Sequence, residues 1–288
     1  MTPPRLGALF RPQRPPETLP DFAQAVEALG FDELWVVEDC FEAGGPTAAT
    51  AALAATGSLH VGIGLLPAAV RNPAIAAMEI ATMARLFPGR LRVAFGHGVE
   101  SWMRQIGARP PDRLALLEET VTAVRTLLAG GRHDTIELAH VPQPAPAILV
   151  GTTGPGGLAI ARRAADGVLL PEGSGPAAVR VASVAGETTA YAWLSVADDV
   201  EAAVAALRPA VSDAWSTAYP RLAAHAGVAP GERLDDATLA SIAVAGDEAA
   251  CLRAVDGLAR AGAASVVLIP RAGEDEAQLE RFAAVARG

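Results

Sequence analysis

The chain contains no lysine, and all 23 basic residues are arginine. That absence excludes Schiff-base catalysis by a lysine amine and any nucleotide loop that relies on a Walker lysine. Cysteine is nearly absent too. Cys40 and Cys251 lie far apart, and His60, His97, His133, His140 and His225 are scattered, so no Cys/His group has the spacing of a structural zinc site. Positive charge is in deficit: 32 acids leave a net charge of −9. A duplex nucleic-acid binder needs a basic face to displace counterions, so nucleic acid is not an expected partner. No apolar run reaches membrane-spanning length. The opening "MTPPRLGALFRPQ" lacks a basic segment followed by a long apolar stretch, so no signal peptide is expected. A cytoplasmic protein with reduced thiols, acting on a small molecule, is the expectation.

What is present is apolar mass, at 51% of residues but only 5% aromatic. Ala, Val and Leu supply most of it, which suits closely packed helices and parallel strands. Short apolar runs recur: "RLGALF" (5–10), "ELWVV" (33–37), "LHVGIGLL" (59–66), "RLRVAFG" (90–96), "AILVG" (147–151), "GVLLP" (167–171), "TTAYAWLSV" (188–196) and "SVVLIP" (265–270). Helical segments are expected between them, at 18–30 with Thr18 as cap, 46–56, 73–86, 112–128, from 151 to about 163, 176–184, 198–225 with breaks at Pro209 and Pro220, 247–262 and 274–286. Residues 112–128 carry the clearest period, with Leu114, Leu117, Val121, Val124 and Leu128 on one face. Residues 226–243 read as an irregular insertion.

Strands that are continuous apolar runs are covered on both sides, as in parallel sheets. Eight of them alternating with helices predict a (β/α)8 TIM barrel with insertions, a single domain over 1–288. A doubly wound open sheet is the alternative.

In a barrel, chemistry collects where the strands end. Strand 2 ends in Glu38, Asp39 and Cys40. Strand 4 ends in Gly96, His97 and Gly98, with Trp102 close behind. Strand 5 runs into "GTTGPGG" (151–157), and strand 8 into Arg271. The glycine-rich turn sits between a strand and a helix. Its amides and helix amino end suit a phosphate, and Thr152 and Thr153 add hydroxyls. A ligand-free tight turn is the competing reading. An adjacent carboxylate pair at a partly dry mouth should have one acid raised by desolvation and like charge, which suits proton transfer. The competing reading is that one acid caps the next helix while the other faces solvent. His97 competes with a solvated turn histidine. Cys40 reads more readily as a small packed residue, and Trp102 either lines a pocket or pins its loop.

Taken together, "GFDELWVVED", "HVGIGLLPAAVRNPAIAAMEIATMARLFPGRLRVAFGHG", "LALLEETVTAVRTLL" and "GPGGLAIARRAADGVLL" resemble the luciferase-like superfamily of flavin- and F420-dependent oxidoreductases. The resemblance runs over about 5–185 and again 245–286. It implies a barrel with F420, or alternatively FMN, lying across its mouth. It implies a non-proline cis peptide within Ile63-Gly64-Leu65 against the cofactor ring, and a cofactor phosphate at Gly151, Thr152, Thr153, Gly154 and Gly156. It also implies that Gly96 and Gly98 let the cofactor tail pass, and that the protein is a homodimer. Two departures stand out. Glu38-Asp39 replaces the Asp-His of many F420-dependent relatives. Pro171-Glu172 stands where some relatives carry a lysine, so Arg271 is the candidate for the phosphate's counter-charge. Asp39, Glu38 and His97 are the candidate proton carriers, with Cys40 and Trp102 at the substrate pocket. The alternatives are an FMN-dependent monooxygenase or reductase, a non-catalytic flavin or deazaflavin binder, and a phosphosugar barrel enzyme.

Overall fold

A computed structural model describes residues 3–209, 211, 219–229 and 232–286. The strands are β1 (Arg5–Leu9), β2 (Glu33–Val36), β3 (His60–Pro67), β4 (Leu91–Gly96), β5 (Ala147–Gly151), β6 (Gly167–Leu170), β7 (Glu187–Val196), β8 (Val244–Gly246) and β9 (Ala263–Pro270). All pairings between them are parallel. Each of β1 to β7 pairs with the next, and β7 and β1 both pair with β9, which closes an eight-stranded barrel. The short β8 lies outside that ring, against the far end of β7 at Leu194–Val196. A three-residue strand carries too little pattern to be read from sequence.

The helices are α1 (Leu19–Ala28), α2 (Gly45–Ala55), α3 (Pro73–Leu86), α4 (Glu100–Gln105), α5 (Arg113–Leu128), α6 (Pro155–Ala164), α7 (Pro176–Ala182), α8 (Val200–Leu207), α9 (Pro220–His225), α10 (Asp236–Ser241), α11 (Glu248–Arg260) and α12 (Asp275–Ala286). Polar caps start several of them. Asn72 accepts from the Ala74 amide at 2.9 Å, with Pro73 at the first helical position, and Asp112 accepts from Leu114 and Ala115 at 3.0 Å. Thr18 is not such a cap. Its hydroxyl donates back to the Pro15 carbonyl at 2.8 Å. Nor is 226–243 irregular throughout, because α10 lies within it, capped by Asp235. Within the stretch 198–225, expected to be helical with breaks at Pro209 and Pro220, the described residues form α8 and α9, and most of the residues between these two lie outside those described. No helix among the described residues is long and apolar enough to cross a membrane.

The barrel interior is layered. At the strand starts, Arg5 binds Glu33 at 2.5 Å and also Glu187, which Arg92 binds as well, while Ser265 donates to Glu33 at 2.8 Å. Above this polar floor lies Trp35, fully buried, its indole N–H on Glu33 at 2.7 Å. Gly62 makes room for it, since a Cβ there would come within 2.2 Å of the indole ring. Tyr191 stands edge-on to Trp35, ring centroids 5.8 Å apart. A plug of this kind fills the middle of the barrel.

Candidate active site

The site is built on the peptide between Gly64 and Leu65, which is cis. It lies inside β3, where the pairing with β4 slips between Ile63 and Leu66. The Tyr191 hydroxyl donates to the Gly64 carbonyl at 3.4 Å from beneath. Gly64 has no room for a side chain, because a Cβ would stand 2.0 Å from that hydroxyl. The Leu65 side chain folds over the next two strands. A Cβ on Gly96 would meet its Cδ2 at 2.5 Å, and one on Gly151 at 2.3 Å. Gly96 and Gly151 therefore leave the space that the Leu65 side chain occupies. Gly98 is glycine for its backbone, at φ +68.

The two acids after β2 have separate fates. Glu38 accepts from Arg71 through both guanidinium terminal nitrogens, one at 2.8 Å, and from the Gly45 amide at 2.9 Å at the start of α2. Arg71 reaches Glu79 as well, at 3.1 Å. Glu38 is thus ion-paired and also holds the first amide of α2. Asp39 has no cationic partner among the described residues. Burial first, and the Glu42 charge second, push its carboxyl up to about 6. The repelling neighbour is Glu42 and not Glu38, whose charge Arg71 balances.

Opposite Asp39, β6 delivers Glu172. Burial raises its carboxyl, the Asp39 charge adds to the effect, and the Tyr219 hydroxyl donates to it. Tyr219, just ahead of α9, is itself raised by burial and by the Glu172 and Asp39 charges. Tyr191 is raised well above its ordinary range by burial, then by Glu172, Glu33 and Asp39. Both tyrosines are neutral phenols, and they are the chain's only two. That scarcity was a usable signal. Nothing in the sequence next to Glu172, Tyr219 or Glu42 announces their grouping with Asp39.

His97 is half-buried, and its imidazole is lowered by burial and by the Arg113 charge, so it is neutral near pH 7. Cys40 is half-buried, and its thiol is raised by burial and by Glu38 and Asp39, which disfavours the nucleophilic thiolate. Trp102 is half-buried on α4, a helix not foreseen in the sequence, whose buried member is Met103.

At the end of β5, the Thr152 hydroxyl accepts from the Gly154 amide at 3.2 Å, and Gly154 precedes α6. The first-turn amides of Gly156 and Gly157 have no acceptor within their own helix. Thr153 remains beside them. The loop keeps donors for an anion, and its glycines keep the backbone close: Gly156 packs on Leu114 and Gly157 on Thr152. These features fit a phosphate. Arg271 has a carboxylate partner of its own. Its guanidinium is tied to Glu274 three residues on, with Nε buried and unpartnered. No His, Cys, Asp and Glu group among the described residues has the arrangement of a metal site.

The luciferase-like monooxygenase family profile matches residues 1–265. The chain belongs to that family. Among its relatives, this luciferase-like chain is 27% identical over 172 residues to a 5,10-methylenetetrahydromethanopterin reductase of Methanolobus tindarius, covering 57% of this chain and 53% of that one. It is 31% identical over 183 residues to an F420-dependent glucose-6-phosphate dehydrogenase of Kineococcus radiotolerans, covering 56% and 54%. The matched part thus spans about half the length of these curated relatives. Among solved structures, an F420-dependent secondary alcohol dehydrogenase in complex with an F420-acetone adduct superposes with a TM-score of 0.78 at 20% identity, over 99% of this chain and 98% of that one. At that identity the likeness speaks for the fold alone.

Proposed function

We propose that this luciferase-like barrel is an oxidoreductase that uses F420, or alternatively FMN, to exchange hydride with a small organic substrate at the mouth of the barrel. The bound cofactor would supply the hydride-carrying ring. Ile63, Gly64 and Leu65 would form the surface beneath that ring. Gly151, Thr152, Thr153, Gly154 and Gly156 would hold the phosphate. Asp39 would hold or release one proton at its carboxyl oxygen, where the Asp-His of many relatives has no histidine here. Cys40 and Trp102 would flank the substrate, and His97, a neutral imidazole, would accept a hydrogen bond.

The observation that carries this reading is Asp39 itself: an aspartate at the barrel mouth, lacking a cation among the described residues, that keeps its proton to about pH 6. A general acid or base works best with an affinity for protons near the working pH. Two further expectations accompany the reading. The unpaired thiols Cys40 and Cys251 suit a reducing cytoplasm. The outward side of α3 exposes Ile75, Met78 and Leu86, which suits burial against a second copy in a homodimer.

The test is to replace Asp39 with Asn and measure turnover and cofactor affinity separately. Turnover should fall about 100-fold or more with the dissociation constant for F420 or FMN within about twofold. Unchanged turnover would remove Asp39 from the chemistry.

A further inference from the structure

A phosphate at this loop calls for a positive charge, and neither the position where some relatives carry a lysine nor the expected Arg271 brings a free one. Glu172 has the wrong sign, and Arg271 is committed to Glu274. The structure places another guanidinium there. Arg221 lies in α9, in the segment between β7 and β8. A Cβ built on Gly154 would stand 2.5 Å from Arg221 Nη1 and 3.1 Å from its Cζ, so the guanidinium rests directly on the loop backbone at the entry to α6.

That position is held from behind. Leu222 and Ala223, next in sequence, are buried to 2% and 1% exposure. Leu222 and His225 line a small cavity with Thr153, Leu158 and Leu170. The apolar side of α9 is therefore docked against the same loop that Arg221 overlies. Arg221 itself is exposed and makes no ion pair with a carboxylate among the described residues. Among the described residues, fourteen other arginines are paired with acids, Arg71 and Arg125 among them. A planar guanidinium can bind two phosphate oxygens at once, with the loop amides and the hydroxyls of Thr152 and Thr153 on the remaining ones.

We infer that Arg221 is the cation that recognises the cofactor's phosphate, and that the β7–β8 segment thereby reads the cofactor tail. The inference rests on the cofactor reading above. It accounts for Gly154, where any side chain would displace the guanidinium. It also gives the chain, without lysine, a counter-charge from a part of the fold that its strand-end pattern does not reveal.

The test compares each cofactor with its phosphate-free form by fluorescence titration: F420 against the ribityl deazaflavin that lacks its phosphate-linked tail, and FMN against riboflavin. For wild type, the phosphorylated form should bind more tightly. In Arg221→Ala the affinity for the phosphorylated form should fall about 10- to 100-fold, the phosphate-free form should change less than about twofold, and the salt dependence of binding should flatten. Arg221→Lys should recover part of the loss. A ratio of affinities unchanged in Arg221→Ala, with wild type still binding cofactor, overturns this inference and leaves the oxidoreductase reading intact. Failure of wild type to bind either cofactor overturns both.

Discussion

Arg71 grips Glu38 with both ends of its guanidinium, and in doing so separates the electrostatic fate of Glu38 from that of its neighbour Asp39. Glu38 becomes half of an ion pair that anchors α2 to the barrel rim. Asp39, one residue later, is left with burial and the Glu42 charge, both of which favour its protonated form. Two adjacent acids at one strand end thus divide into a fastener and a carboxyl that holds its proton more tightly than usual.

Asp39 should cost stability wherever it is ionised. Its folded value of about 6 lies above the ordinary 3.8, so the native state binds the proton more tightly than the unfolded chain does. Stability should therefore decline as pH rises from about 4 to about 6 and level off above that. The interval corresponds to at most about 3 kcal/mol, and solvent screening at a part-exposed carboxyl reduces it to about 1–2 kcal/mol. Asp39→Asn should raise the denaturant midpoint at pH 7 and leave it nearly unchanged at pH 4. Equal effects at both pH values would show that the carboxyl is not held up in the folded protein.

The same carboxyl should shape the pH–rate profile. In the direction that needs a proton donor, turnover should fall as pH rises through about 6. In the opposite direction it should fall as pH drops through the same region. That limb should vanish in Asp39→Asn, and its survival would assign the proton to another group.

Arg71→Ala should destabilise the fold by about 1–3 kcal/mol, because it strands the largely buried Glu38 carboxylate and loosens the start of α2. Thermal unfolding checks this. A melting temperature equal to wild type would mean that solvent replaces Arg71 at no cost.

Glu27 offers a separate acid-sensitive fastening. Its carboxylate accepts from Gly57, Ser58 and Leu59 amides, and these hydrogen bonds, that from Ser58 foremost, lower it to about 2. Its folded value lies below the unfolded one, so its contribution is present above about pH 4.5 and is lost as pH falls toward about 2. Glu27→Gln should lower stability at pH 7 and narrow the gap from wild type near pH 2, as read by acid titration of circular dichroism.

Gly64→Ala should cost about 1–3 kcal/mol, since the new methyl would press on the Tyr191 hydroxyl, Leu169 and Trp35. Adding Tyr191→Phe should recover part of that loss, because the nearest clashing atom is the phenol oxygen. Purely additive effects in the double variant would mean the methyl is accommodated elsewhere.

The barrel strands were legible because each is a short apolar run that ends in turn residues. The run Leu34–Val37 pointed to the rim at Asp39, and the family resemblance pointed to the peptide at Gly64-Leu65. What stayed hidden depends on pairing across the fold. Nothing local to Glu38 announces Arg71, 33 residues away. Nothing local to Gly62 or Gly96 shows that Trp35 and Leu65 fill the space beside them. Tyr219 and Arg221 come from a segment whose six-residue helix is too short to show a period. The pairing of Arg271 was legible locally, since Glu274 lies three residues on.

The central claim is that the barrel mouth takes up a flavin or deazaflavin. Titration of the purified chain with F420 and with FMN, followed by fluorescence, tests it most directly. The account predicts saturable binding of at least one of them at one molecule per chain. An unchanged signal with both would contradict it.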